Sequence, residues 1–79
     1  MKILRIPCEK THIDLYLVPD KIVSYHTFDS LLPEDNVEGD RHNHVLRIDT
    51  VNKSYLRYFK YATTMGEWEN VIIEAIESL

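Results

Sequence analysis

Two histidines in the middle of the chain have a spacing that could bind a metal ion. His42 and His44 are separated by one residue, and Asp40 continues the same alternation. On a strand these side chains would project from one face, and imidazole and carboxylate groups are common ligands of transition metals. The sequence shows no dedicated third and fourth protein ligand beside the histidine pair. We therefore predict no metal site and no cofactor.

Three further residues could serve as nucleophile or base. Ser24 and His26 have the alternation that places both on one face of a strand, and Cys8 is the only cysteine. A hydrolase needs an acid that orients the histidine, and none can be assigned. The sequence contains no Gly-x-Ser-x-Gly elbow, phosphate-binding loop or glycine fingerprint. We predict that the protein is not an enzyme, with no catalytic residue, and that Cys8 is a buried structural thiol.

The charge of the chain is distributed unevenly. Residues 29–40 contain five acids and no base, whereas residues 41–61 contain five bases and one acid. In this basic segment the cations Arg41, Arg47, Lys53, Arg57 and Lys60 alternate with the rings of Tyr55, Tyr58, Phe59 and Tyr61. Cations attract phosphate and aromatic rings stack on bases, so this composition suits single-stranded nucleic acid. The alternative is a strand that buries its rings and exposes its cations to water.

Five short strands are predicted to position these residues. Ile13, Leu15 and Leu17 alternate with polar side chains, which indicates one core-facing side of the second strand. The residues Pro19-Asp20-Lys21 favour a turn and predict that the second and third strands form a hairpin, as do the fourth and fifth. Residues 29–43 are expected to be a long loop. The predicted strands cover residues 2–6, 12–18, 22–28, 44–49 and 54–61.

One amphipathic helix is predicted at the end of the sequence. Thr64 and Glu67 have the spacing of a capping box, which places the helix start at Thr64. The apolar residues that follow recur at steps of three and four and predict one buried stripe. They are Trp68, Val71, Ile72, Ala75, Ile76 and Leu79. The predicted fold is α+β and mostly β, a strongly bent five-stranded antiparallel sheet or small open barrel with a C-terminal helix.

The length of 79 residues, of which 44% are hydrophobic, is typical of one small globular domain, residues 1–79. A domain of this size has little stability in reserve, and one cysteine cannot close a disulfide within the chain. Self-association is therefore expected. The sequence opens with no signal-peptide pattern and contains no apolar run long enough to span a membrane, so we expect a cytoplasmic protein without a membrane partner.

Two short stretches resemble the motifs of the Sm-like small β-barrel family. The third strand ends in Thr27-Phe28-Asp29-Ser30-Leu31-Leu32, similar to the aromatic-Asp stretch of the first Sm motif. Val45-Leu46-Arg47 is similar to the apolar-Arg-Gly stretch of the second motif, although Ile48 replaces the glycine. The resemblance spans residues 12–61. It implies a ring of identical subunits joined through strand edges, with bases contacted by Phe28, Asp29 and Arg47.

The sequence thus predicts a homo-oligomeric protein that binds RNA or single-stranded DNA. Tyr55 and Arg57 are added to the predicted contact residues because of the composition of the fifth strand. The alternative is a small protein-interaction module or inhibitor, which would use the acidic loop 29–40 or an exposed edge strand.

Overall fold

The computed structural model describes residues 3–30, 36–37, 40–41 and 43–79. The chain is α+β, mostly strand, with one helix at its C-terminal end. A 3₁₀ turn, Pro19–Lys21, separates the second strand from the third. The strands in chain order are β1 (Leu4–Ile6), β2 (Leu15–Leu17), β3 (Ile22–Asp29), β4 (Asn36–Val37), β5 (Asp40–Arg41), β6 (His44–Thr50) and β7 (Ser54–Phe59), followed by helix α1 (Ala62–Glu77).

The first two strands form a small antiparallel sheet of their own. Leu4 lies opposite Leu17, and Ile6 lies opposite Leu15. Because side chains alternate along a strand, these residues face inward while Arg5 and Tyr16 face outward. The outward Arg5 side chain is paired with Asp14 at 3.1 Å. This sheet therefore covers one side of the core.

Strands β3, β6 and β7 form the main sheet, with β6 in the centre. Both neighbouring strands run antiparallel to it. The register between β3 and β6 shifts between Ile22 and Ser24, so Val23 is an extra residue in a bulge. The β6–β7 hairpin confirms the predicted pairing of the fourth and fifth strands.

Helix α1 packs on one side of the main sheet. Ile72 and Ala75 are buried, and Trp68, Val71 and Ile76 pack against the same cluster, which confirms most of the predicted stripe. Leu79 does not belong to it, because its side chain is exposed beyond the helix end. The core that the helix covers consists mainly of Leu4, Ile6, Leu17, Leu46, Ile48 and Phe59.

The predicted helix start at Thr64 is wrong. The helix begins at Ala62, Tyr61 occupies the N-cap position, and no side chain caps the exposed amides. The first turn can form without a cap because the sheet and the helix stripe hold the segment in place by packing. Tertiary contact has here overridden a local capping signal.

The predicted hairpin between the second and third strands is also wrong. β2 pairs with β1, and β3 pairs with β6. The 3₁₀ turn at Pro19–Lys21 does not reverse the chain into a two-stranded ladder but carries it from one sheet to the next. As a result, the five main strands lie in two separate antiparallel sheets, and the described residues form no closed barrel.

Several smaller predictions differ from the structure. Strand β2 covers only residues 15–17, and Ile13 is exposed rather than part of its inner face. His12, just before it, has a φ of 59°, which interrupts extended structure there. The predicted loop 29–43 contains the short β4–β5 pair. Lys2, His42 and most of the acidic residues of the loop lie outside the described residues.

No helix in the described part of the chain has the length and apolar character needed to cross a lipid bilayer.

Candidate nucleic-acid interface

The main sheet has two faces with different surroundings. Residues directly opposite one another on antiparallel strands share a face, so the register divides the three strands into two sets. The inner face carries Leu46 and Ile48 and is covered by helix α1. The opposite side, which we call the outer face, consists of Ser24, His26 and Phe28 from β3, Val45, Arg47 and Asp49 from β6, and Ser54, Leu56 and Tyr58 from β7.

An aromatic row crosses one end of the outer face. Phe28 and Tyr58 lie on either side of Val45, which is buried between neighbouring strands. The Phe28 side chain is 44% exposed, and the ring of Tyr58 is half-buried. The ammonium of Lys10 lies 4.5 Å from the centroid of the Tyr58 ring, within the range of a cation–π contact. The row therefore combines ring surface with a positive charge.

A charged row lies next to the aromatic one. His26, Arg47 and Leu56 face one another across the three strands. The side chains of His26 and Arg47 are 53% and 44% exposed. The guanidinium of Arg47 donates to Asp49 at 3.0 Å, and its Nε is buried without a hydrogen-bond partner in the described part of the chain. The described residues therefore leave one donor of this arginine without an acceptor.

A third row on the outer face consists of Ser24, Asp49 and Ser54, and the Asp49 carboxylate links its members. Hydrogen bonds from Ser54, Ser24 and Arg47 hold the pKa of the Asp49 carboxyl well below its usual range. The Ser24 hydroxyl donates at 2.7 Å, and Nε2 of His26 lies 3.4 Å from the same carboxylate oxygen. The carboxylate thus links all three strands on the outer face and fixes the position of Arg47.

The structure separates the predicted contact residues into two groups. Phe28 and Arg47 lie together on the outer face, whereas Asp29, Tyr55 and Arg57 belong to the inner set. Phe28 and Arg47 stand in adjacent rows on neighbouring strands, so one ligand can reach both.

Each residue of the inner group already has contacts within the chain. The Asp29 carboxylate accepts a hydrogen bond from Nδ1 of His44 at 2.9 Å. Tyr55 packs against the core, and its ring lies 4.8 Å from the ammonium of Lys53. Arg57 donates to the backbone oxygen of Ile13 at 2.7 Å. These three side chains cannot touch a ligand that lies flat on the outer face.

Sequence reasoning missed His26 and Lys10 as members of this surface. The alternation along β3 already placed Ser24, His26 and Phe28 on one side of a strand. The pairing of β3 with β6, which brings His26 beside Arg47, could not be read from the sequence because a hairpin with β2 was expected instead. Lys10 approaches through a long-range contact that leaves no local pattern.

The arrangement of Ser24 and His26 does not create an activated nucleophile. The Ser24 hydroxyl donates to Asp49, and His26 approaches the same carboxylate. A serine hydrolase requires the hydroxyl to donate to the histidine itself. Here both side chains instead converge on one acceptor.

Cys8 lies at the outer edge of β7 and is buried. Its Sγ accepts a hydrogen bond from the backbone N–H of Tyr58 at 3.4 Å. Burial raises the pKa of the Cys8 thiol, but hydrogen bonds from the side chain and amide of Thr11 and from the amides of Tyr58 and Lys10 outweigh it, so the pKa lies below its ordinary value. The thiol helps to fix residues 8–13 against β7.

A metal-binding group of three or more His, Cys, Asp or Glu side chains does not occur among the residues that the structure describes. His44 pairs with Asp29, and His42 lies outside the residues that the structure describes.

Comparison of the chain with protein-family models, with curated proteins and with solved structures finds no match.

Proposed function

We propose that the protein is a non-catalytic, cytoplasmic binder of single-stranded nucleic acid, RNA or DNA, and that it binds through the outer face of the main sheet. Phe28 stacks on a base, Arg47 holds a phosphate, and His26, Tyr58 and Lys10 extend the surface on either side. A sheet face that presents rings next to cations is suited to single strands, because their bases are free to stack and their phosphates remain within reach.

The observation that supports this proposal is the position of the helix. Helix α1 covers only the inner face, so Phe28 and Arg47 remain partly exposed side by side on neighbouring strands. An exposed aromatic side chain on a sheet lacks the favourable free energy that burial of its apolar surface would provide. A stacking ligand would recover that free energy.

The charge of the outer face is locally favourable for phosphate even though the chain is acidic. The net charge of the whole chain is −4, which opposes strong non-specific binding to a polyanion. On the outer face Asp49 is neutralised by Arg47, and Lys10 adds a positive charge. The buried Nε of Arg47 would gain an acceptor if the side chain turned toward a phosphate. We expect modest affinity that depends on salt.

Fluorescence anisotropy with labelled poly-U and poly-dT, measured over a series of salt concentrations, tests the proposal. Each phosphate neutralised on a single strand contributes about 0.7 to the slope of log K against log salt. Arg47→Gln is expected to weaken binding and to lower the slope by about 0.7 because one phosphate contact is lost.

Arg57→Gln is the matched control. It removes the same charge from the neighbouring strand β7, in the inner set, where Arg57 donates to the Ile13 carbonyl. Its binding and its salt slope should remain those of the original protein. The proposal fails if micromolar protein shows no salt-sensitive binding, or if both arginine variants lose affinity equally.

Self-association through strand edges is the second part of the proposal. The Sm-like resemblance implies that identical subunits form a ring with the nucleic-acid surface around its pore. In support, the main sheet does not close on itself within the described residues, so β3 and β7 are edge strands there. Open sheet edges present unpaired backbone groups that another chain can use.

The edge of β3 also favours a second candidate function, a protein-interaction module. An extended segment of a partner protein could add to this strand and form backbone hydrogen bonds. Strand addition would alter the amide signals of β3 in an NMR spectrum and leave β7 unchanged, whereas binding on the outer face would alter both. The acidic loop 29–40, proposed as another interaction surface, lies largely outside the described residues.

A further inference from the structure

The two edges of the main sheet are not equivalent. Along an antiparallel strand, the N–H and C=O groups of one residue point to the strand on one side, and those of the next residue point to the other side. The amide of Ser30 donates to the carbonyl of Asn43 at 2.7 Å, which extends the β3–β6 register by one pair. The even-numbered residues of β3 therefore bond to β6, and the odd-numbered ones, Tyr25, Thr27 and Asp29, point their N–H and C=O groups outward.

The outer edge of β7 is covered by the N-terminal segment. The amide of Glu9 donates to the carbonyl of Tyr58, and the amide of Lys60 donates to the side chain of Glu9, both at 2.8 Å. The Tyr58 amide donates to Cys8, and the Leu56 carbonyl accepts from the Arg57 side chain. Segment 8–13 thus occupies most of this edge.

The outer edge of β3 has no such cover in the described part of the chain. Its outward groups at Tyr25, Thr27 and Asp29 form no backbone hydrogen bond there. The strand is eight residues long and contains no lysine, arginine, glutamate or proline, and Asp29 at its end is its one carboxylate, so few of the residues that usually protect an edge from pairing are present. The bulge at Val23 disturbs only its first part. Residues 25–29 form a regular edge that no other described segment covers.

We infer that this edge pairs with the same edge of a second copy, in antiparallel orientation, about a twofold axis that passes through Thr27. In this register Tyr25 of one chain lies opposite Asp29 of the other, and Thr27 lies opposite its own copy. The axis uses all three regular outward residues and avoids the bulge. A parallel pairing would place the two Asp29 carboxylates next to each other, which is unfavourable.

A twofold pair fits the described edges better than a ring. A ring joins two different edges on each subunit, head to tail. Here one edge is open while the other is largely occupied, and a twofold axis needs only one open edge. The inference deepens the proposed self-association and rests on it, but it does not depend on nucleic-acid binding.

Pairing about Thr27 would also join the two outer faces. Even-numbered residues of β3 alternate with the outward ones, so Phe28 of one chain would lie opposite His26 of the other, on the outer face. The two main sheets would become one continuous sheet. Each copy would contribute a ring and an imidazole to the central part of a longer nucleic-acid surface.

Sedimentation equilibrium across micromolar to millimolar protein tests the pairing. The weight-average mass should rise from 9.4 kDa toward twice that value and no further. Because an interface made of strand edges is small, the association is expected to be weak. A mass that stays at the monomer value, or one that exceeds the dimer, would overturn the inference.

Two proline variants separate the edges. Thr27→Pro removes an outward N–H that forms no backbone hydrogen bond within the described residues, and the variant should remain monomeric while circular dichroism shows a folded chain. Leu56→Pro removes an outward N–H on the β7 edge and should dimerise as before. If both lose the dimer, or neither does, the assignment to the β3 edge is wrong.

A cysteine variant tests the register. Thr27→Cys should oxidise readily to a disulfide-linked dimer, because residues at a twofold axis between paired strands have their Cα atoms within disulfide range. Val51→Cys, exposed but away from the axis, should not. The buried Cys8 makes the unmodified protein a further control.

Anisotropy with poly-U on the Thr27→Pro monomer separates the pairing inference from the proposed nucleic-acid binding, since an isolated outer face can still bind when pairing is lost.

Discussion

The two faces of the main sheet are built from the same three strands, but they differ in what covers them. On the inner face Leu46, Ile48 and Phe59 are fully buried beneath helix α1 and the β1–β2 sheet. On the outer face Phe28 and Leu56 remain 44% and 38% exposed. Because alternate residues of one strand serve these different surroundings, stability and binding are separable by substitution. A change on the inner face should affect folding, and a change on the outer face should affect recognition.

The largest difference between the faces is expected in stability. Ile48→Ala should lower the free energy of unfolding by about 2–5 kcal/mol, since it leaves a cavity in a fully packed site. Leu56→Ala on the outer face should change it by less than about 0.5–1 kcal/mol, because that side chain is already partly exposed and lies outside the core cluster. Urea unfolding followed by Trp68 fluorescence measures both. Equal losses would show that the outer face is part of the core.

The next difference concerns aromatic side chains and affinity. Phe28→Leu should weaken binding to poly-U by about 1–3 kcal/mol, roughly five- to 150-fold, because base stacking needs a ring. Tyr55→Leu removes a ring of similar size from the inner side and should leave the affinity nearly unchanged. Anisotropy titrations at one salt concentration compare the two. A greater effect at Tyr55 would place the ligand on the opposite face.

A smaller difference is expected in the response to acid. The pKa of Asp49 is lowered in the folded chain, so the folded state binds a proton less readily than the unfolded state. The stability that Asp49 contributes is present above the pKa of an unfolded aspartate and is lost as the pH falls through the lower folded value. Thermal melts from neutral pH downward should therefore show a decline that Asp49→Asn reduces.

Ser54→Ala is the control for that effect. It removes the first of the hydrogen bonds that lower the Asp49 pKa but leaves those from Ser24 and Arg47. The acid response should become weaker without disappearing. An unchanged pH profile in Asp49→Asn would mean that another carboxyl causes the decline.

The smallest effect is expected at the start of the helix, away from both faces. Tyr61 occupies the N-cap without forming a side-chain hydrogen bond, and its ring is largely exposed. Tyr61→Asp should stabilise the protein by roughly 0.5–1 kcal/mol, because a carboxylate can accept from the free amides of the first turn. Tyr61→Ala should give no gain. Stabilisation by alanine as well would point to relief of an unfavourable tyrosine contact instead.

Local patterns predicted the parts of the fold that depend on neighbouring residues. The β6–β7 hairpin needs only a short connection, and the helix stripe around Ile72 follows from its own periodicity. The pairing of β3 with β6 joins strands separated by the loop 29–43, so nothing in the residues near Pro19 could disclose it. The helix start failed for a related reason, because packing of the stripe outweighed the capping signal at Thr64.

The candidate site was predicted only in part for the same reason. Phe28 and Arg47 were identified from short motifs, and the structure places them together. Tyr55 and Arg57 were selected by composition, which does not distinguish the two faces of a strand. Only the register shows that they belong to the inner set. The Sm-like relationship remains a proposal, and the described sheet edges favour a twofold pair over the ring that it implies.

NMR spectroscopy of ¹⁵N-labelled protein titrated with oligo-U at low and high salt tests the central proposal most directly, because it reports on each strand separately. We expect the amide signals of Phe28, Arg47 and Tyr58 to shift together at low salt and to return at high salt, while those of helix α1 stay in place. Shifts confined to the helix and the inner side chains, or an unchanged spectrum at low salt, would contradict it.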